Sequence, residues 1–233
     1  MKHFLTITLC CIGAAALLAG CANNPEKKAA KEAAKAAADS VAAAEQTQRT
    51  MDKIAKLPAE PVFDIITSMG VIKVKLYADT PKHRENFAKL ALEKYYDGTL
   101  FHRVISGFMI QGGDPYTRDS SKVELYGQGG PDYTIPAEFV PAYTHKKGAL
   151  AAARRGDAAN PMKESSGSQF YLVQDPDNCA HLDGNYTVFG ETVSGINVID
   201  KIASVKTNRR DMPEKEVRIQ RIQLDDISKP AEK

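Results

Sequence analysis

Hydrophobic and polar positions change rhythm along the chain, and each rhythm predicts a different element. After Lys2 and His3, residues Phe4 to Ala19 are almost all apolar. The run falls short of the ~20 residues a membrane-spanning helix needs and ends in small side chains, so residues 1–20 read as a secretory leader. From Glu26 to Leu57 the apolar positions are mostly Ala among Lys and Glu, without Gly or Pro until Pro58. Ala and Lys favour helix, and Glu32 follows Lys28 by one helical turn, where side chains meet on the surface. Large apolar residues are sparse (Val41, Met51, Ile54, Leu57), so this helix reads as a solvated, semi-rigid spacer. At about 1.5 Å per residue it spans roughly 45 Å. A coiled-coil partner is the alternative, and the lack of a sustained heptad counts against it.

Beyond Pro61 the period shortens to that of a strand. Ile72, Val74 and Leu76 alternate with Lys73 and Lys75, and residues 62–67 read as the preceding strand, joined by a Ser68-Met69-Gly70 turn. Thr80-Pro81 opens a helix, with Thr80 as N-cap and Pro81 at the first helical position. His83, Phe87, Leu90 and Ala91 share one face of it, and Asp97-Gly98 stops it. Strands follow at residues 99–105, 108–112, 149–154, 169–173 and 186–193, then a helix from Ile196 to about Val205. In the last strand, residues 217–224, the alternation changes phase between Ile219 and Ile222, which predicts a bulge or a change of buried side. About eight strands and two helices that do not alternate predict a mostly β fold, an antiparallel sheet or barrel with helices against it. Spacing alone leaves open sheet and closed barrel both standing. The Gly-, Pro-, Ser- and Asp-rich stretch from Asp114 to Lys147 predicts a long ordered loop.

Charge acts only by exclusion: a net +2 over 233 residues offers no field for nucleic acid and no polybasic membrane patch. Of the four Cys, Cys10 and Cys11 lie in the leader and Cys21 at its end, which leaves Cys179 without an intrachain disulfide partner. A buried inert thiol is the commoner state of such a residue. His83, His102, His145 and His181 lack short ligand spacing, and no Gly-rich phosphate loop follows a strand. No metal, nucleotide or organic cofactor is implied.

Leu18-Ala19-Gly20-Cys21 resembles the lipobox of bacterial lipoproteins. The resemblance implies cleavage before Cys21 and acylation of that residue, with several chains anchoring where a single one holds only marginally. Ordinary cleavage near Ala19 is the alternative. Three further blocks stand in order: Phe101-His102-Arg103 with Gly107-Phe108-Met109 and Gln111-Gly112-Gly113; Gly148 to Arg154 followed by Ser168-Gln169-Phe170-Tyr171; and Leu182-Asp183-Gly184 with Val188-Phe189-Gly190. Together they resemble the cyclophilin family of peptidyl-prolyl cis/trans isomerases, over roughly residues 61–226. The resemblance implies a closed eight-stranded antiparallel barrel capped by two α-helices. The chain then divides into a leader (1–20), a lipidated Cys21 with helical tether (21–57), an isomerase domain (58–226) and a tail (227–233).

Rotation about an X–Pro bond meets a barrier of about 18–20 kcal/mol because of amide resonance. A catalyst needs an apolar pocket for the ring, anchors for the flanking backbone, and a group that prefers the twisted amide. There the prolyl nitrogen regains a lone pair, and a fixed guanidinium gains a hydrogen bond that the planar ground state lacks. The resemblance assigns that guanidinium to Arg103, with Gln111 and Gln169 orienting it and holding substrate backbone. It places Phe108, Met109, Tyr171 and Leu182 around the ring, and the backbone of Ala153 and Arg154 against the residues before proline. Tyr186 stands where similar proteins commonly carry His. His181 stands where many carry a Trp linked to cyclosporin binding, so weak inhibition by that drug is expected. Tyr171 replaces a Phe, and its hydroxyl needs a partner. Arg154 replaces an Asn.

The expected partners are proline-containing polypeptides, in the form of exported chains, and the membrane through the lipid anchor. The chain is expected to be a monomer on the extracytoplasmic side of a bacterial envelope, without nucleic acid. Two other classes stand beside this one: a module that binds proline segments with incidental turnover, and a spacer lipoprotein whose helix organises the envelope.

Overall fold

The computed structural model describes residues 25–225; the expected leader, the lipidation site at Cys21 and the tail at 227–233 lie outside the described residues. The chain divides between Gln46 and Thr47 into two units. A long helix, α1 (Pro25–Ile54), begins in the first. Within that unit its residues from Lys28 on are exposed, as an Ala-rich helix with little to bury should be, and Lys28 pairs with Glu32 at 4.0 Å. Within the second unit Ile54 and Leu57 pack against the core, which accounts for large apolar residues that a free spacer leaves unexplained.

β1 (Val62–Thr67) and β2 (Gly70–Leu76) form the hairpin read from the alternation. Phe63, Ile65, Ile72, Val74 and Leu76 are its buried side. α2 (Pro81–Leu92) buries His83, Phe87, Leu90 and Ala91 as expected, but both of its ends differ. Thr80 makes no side-chain cap; the carboxylate of Glu138 accepts from the backbone N–H groups of Lys82 (3.1 Å) and His83 (3.0 Å). A distant loop thus supplies the negative charge that a helix N-terminus favours. The helix also stops short of Asp97-Gly98. Lys94 turns left-handed (φ 60°), and the amides of Lys94 and Tyr95 bond back to the carbonyls of Ala91 and Leu90 in a Schellman closure.

The remaining strands and α-helix among the described residues are β3 (Arg103–Ile105), β4 (Met109–Gly112), β5 (Thr134–Ile135), β6 (Ala149–Ala152), β7 (Ser165–Ser166), β8 (Phe170–Val173), β9 (Val188–Ser194), α3 (Ile196–Ala203) and β10 (Ile219–Leu224), with short 3-10 turns at Pro115–Arg118, Ser120–Leu125 and Ala180–Leu182. Eight strands form one antiparallel sheet in the order β10-β1-β2-β9-β6-β8-β4-β3, while β5 and β7 pair separately. The phase change in the last strand is a bulge: Thr67 faces Ile219 and Ile66 faces Arg221, so Gln220 is the extra residue.

The closed barrel does not form. The sheet curls into an open half-barrel whose edges, β10 and β3, share no ladder. The reason lies in β3, which has three residues and whose Val104 N–H bonds the carbonyl of Asp211 at 2.8 Å. Among the described residues it is those before β3 that reach across: around the bridge of Leu100 with Arg218, the Gly98 and Phe101 amides donate to the carbonyls of Ile219 and Val217 (both 2.9 Å), and the Ile219 amide donates to the Thr99 carbonyl (2.8 Å).

Candidate active site

β6 and β8 are buried along their whole length, so both of their faces are covered. Period two then sends side chains into two clusters. Val104, Ile110, Leu150, Phe170 and Leu172 enter the inner core with Phe87. Met109, Ala149, Ala151, Tyr171 and Val173 point the other way, into a second cluster with Cys179 and Leu182. A cavity of about 300 Å³ opens on this outer face. The register sets Arg103 opposite Gln111, and Gln111 opposite Tyr171, so these side chains lie side by side across adjacent strands.

Arg103, Phe108, Met109, Gln111, Ala153, Arg154, Tyr171, Leu182 and Tyr186 all line this cavity. Gln169 and His181 do not. Gln169 is buried behind it: it accepts from Gln111 Nε2 (3.0 Å) and donates to the carbonyls of Gly127 (3.0 Å) and Gly129 (2.8 Å). The amide pair therefore ties β4 to the loop at Gly127–Gly129, and Gln111 gives its donor to Gln169. His181 is exposed beside the cavity, its ring nearly parallel to that of Phe108, with centroids 6.3 Å apart.

Arg103 keeps 44% of its side chain exposed, and its Nε lies 3.8 Å from Oδ2 of Asp211. Arg154, by contrast, is immobilised. Its side chain is 4% exposed, Nε donates to the Asn185 carbonyl (2.8 Å), one terminal nitrogen pairs with Asp157 (2.6 Å), and the guanidinium lies 4.3 Å from the ring centre of Tyr186. Arg154 and Tyr186 thus form one wall.

The Tyr171 hydroxyl has its partner: Nε2 of His145 lies 2.8 Å away, and Nδ1 of the same ring lies 2.6 Å from Asp183. Burial lowers the pKa of His145, against the opposing hydrogen bond from Asp183. Burial likewise raises the Tyr171 phenol well above its ordinary value, so it stays neutral. Cys179 is free and buried, and burial pushes its thiol up to about 11, which fits an inert core residue. His102 lines the cavity with both ring nitrogens unpartnered among the described residues, and burial lowers its pKa.

Sequence reasoning missed Tyr126, Gly127, Arg210 and Met212, which complete the lining, and it missed Asp211 and His145 behind them. The loop composition around Gly127-Gln128-Gly129-Gly130 was the available sign for the first two. Asp114 is the physical one, since its buried carboxylate accepts from the amides of Tyr116 (2.7 Å), Gly127 and Gly129 (3.1 Å) and folds that loop over the cavity.

A model of the family described as cyclophilin type peptidyl-prolyl cis-trans isomerase/CLD matches residues 62–224. The chain belongs to this family. The mouse peptidyl-prolyl cis-trans isomerase-like 1 is 41% identical over 155 residues, covering 66% of this chain and 86% of the relative. The isomerase-like 2 protein of Rhizopus delemar is 38% identical over 162 residues, or 69% of this chain, and the chain spans only 28% of that relative. Among solved structures, a cyclophilin type isomerase of Cryptosporidium parvum superposes with a TM-score of 0.64 at 28% identity, covering 73% of this chain and 99% of that one. The same protein solved in the presence of the dipeptide Ala-Pro gives a TM-score of 0.62 at 28% identity, covering 70% and 98%. This cyclophilin is therefore an isomerase, a rotamase, by family, and its fold is the family fold.

Proposed function

We propose that the outer-face cavity takes the ring of a prolyl residue and that Arg103 stabilises the twisted amide. One observation carries this reading: a guanidinium whose terminal nitrogens have no partner among the described residues lines the same cavity as Phe108, Met109, Tyr171 and Leu182. A hydrogen bond to the prolyl nitrogen forms only once conjugation breaks, so it lowers the barrier without tightening ground-state binding. The backbone of Ala153 and Arg154, at the wall stiffened by Tyr186, docks the residues before proline. Gln111 and Gln169 act together, Gln111 facing substrate and Gln169 holding Gln111 and the Gly127–Gly129 loop. His181, exposed beside Phe108 and outside the cavity lining, contributes only to ligands that extend past the ring pocket. That the similar protein was solved in the presence of the dipeptide Ala-Pro supports proline-containing peptides as the ligand class.

The cellular setting rests on residues 1–21 alone. In this reading Cys21 is acylated, the domain stands off a bacterial membrane on its helical tether as a monomer, and the substrates are exported chains. Cys21→Ser should move the protein from the membrane to the soluble fraction and abolish incorporation of labelled palmitate.

Exchange NMR on an Ala-Pro peptide, with the full chain and its Arg103→Ala variant, tests the site. Fast exchange with the wild type and its near loss in the variant supports the mechanism. Equal acceleration by both discards the role of Arg103.

A further inference from the structure

Asp211 belongs to the turn Asn208–Met212, which no sequence motif marks. The turn is self-supporting. The Asn208 side chain accepts from the amides of Arg210 (2.8 Å) and Met212 (3.2 Å), and the Asp211 amide bonds the Asn208 carbonyl (3.0 Å). Asp211 itself sits at φ 58°, a conformation that Asp and Asn accept more readily than other side chains. Its carbonyl is fastened to the open edge of β3 by the Val104 amide at 2.8 Å, one residue from Arg103. Backbone geometry therefore holds the carboxylate beside the guanidinium. The same turn carries Arg210 and Met212 into the cavity lining, and Arg210 pairs with Glu124 at 3.0 Å.

Arg103 lies on a three-residue edge strand with nearly half of its side chain exposed. A long side chain in that state samples many rotamers, and catalysis at the prolyl nitrogen uses few of them. Gln111, its cross-strand neighbour, donates through Nε2 to Gln169 and, among the described residues, accepts no hydrogen bond from Arg103. Asp211 is the ionic partner that the structure shows for Arg103. We infer that Asp211 is a positioning residue: it limits the guanidinium to orientations over the cavity and thereby raises turnover. The inference rests on the catalytic reading of Arg103.

Asp211→Asn is the informative change, because Asn keeps the left-handed turn and removes the charge. With the full chain and an uncharged Ala-Pro peptide, kcat/KM should fall about fivefold at unchanged KM, the equivalent of ~1 kcal/mol. The ¹H–¹⁵Nε resonance of Arg103 should lose order in the same variant, while the thermal midpoint stays in place. If activity falls but the Nε resonance is unmoved, Asp211 is structural only and the inference is overturned. Activity equal to or above wild type overturns it as well, the latter by making Asp211 a competitor for the guanidinium. Arg103→Ala in the same assay separates the two readings: if that variant stays fully active, the catalytic role fails first, and the inference with it.

Discussion

The phenolic oxygen of Tyr171 and Nε2 of His145 lie 2.8 Å apart, and the direction of the bond between them is determined at the far side of the ring. Oδ1 of Asp183 takes both the His145 amide (2.8 Å) and Nδ1 (2.6 Å). An ionised carboxylate only accepts, so Nδ1 carries the proton, Nε2 is the acceptor and Tyr171 donates. Tyr171→Phe deletes the donor and leaves a buried acceptor unpaired. The variant should lose about 1–2 kcal/mol of unfolding free energy, read as a lower urea midpoint at unchanged slope.

His145 and His102 make the fold sensitive to mild acid. Burial is the first cause of the lowered pKa in each, opposed by Asp183 at His145 and by Asp114 at His102. In the unfolded chain both return to about 6.5. Between that value and the lower folded one, the unfolded chain binds protons that the folded chain does not. The contribution of these two histidines to stability is therefore present above about pH 6.5 and is lost as pH falls through the window below it. Glu191 and Asp200 are lowered chiefly by hydrogen bonds from Lys146 and Lys147, and they lose their contribution further down, in the carboxylate range. Urea titrations at about pH 7.5 and about pH 5.5 should show the decline, and it should flatten in His102→Leu. A slope unchanged in that variant would remove His102 from the account.

Arg103→Lys should be nearly as inactive as Arg103→Ala. Both Arg and Lys carry the charge, but the ammonium is a compact point on a flexible stem, whereas the guanidinium is a rigid fork. A loss of about a hundredfold in kcat/KM, with KM changed little, is the expected kinetic pattern. Near-normal turnover with Lys would show that charge alone suffices.

Local rhythm carried much of this structure in readable form. Ile72, Val74 and Leu76 announce a half-buried strand, and the phase slip between Ile219 and Ile222 announces the bulge at Gln220, because period two exposes a single extra residue at once. The blocks around Arg103, Gln169 and Leu182 located most of the cavity lining. What stayed hidden are pairings between distant parts of the chain. Glu138 caps α2 in place of Thr80, Asp211 faces Arg103, and His145 holds Tyr171. Each is a short polar contact that no periodicity encodes, since its geometry exists only after the sheet has curled. The open edge was hidden for the same reason: the length of β3 depends on what the Asn208–Met212 turn takes from Val104.

His181 bears on inhibition more than on turnover. Its ring lies within 12° of parallel to Phe108 at the exposed rim, where the family resemblance puts a Trp linked to cyclosporin binding. A Trp there would offer a larger apolar surface and an indole N–H to a ligand that covers the rim, and burial of that surface scales at about 25 cal/mol per Å². Cyclosporin should therefore inhibit the wild type weakly, and His181→Trp should tighten inhibition by roughly tenfold or more, the equivalent of ~1.4 kcal/mol. Turnover of a short Ala-Pro peptide should change little, because His181 stands outside the cavity lining. Inhibition curves on both proteins with the same peptide decide the matter. Tight inhibition of the wild type would mean that the Phe108 face alone suffices for the drug.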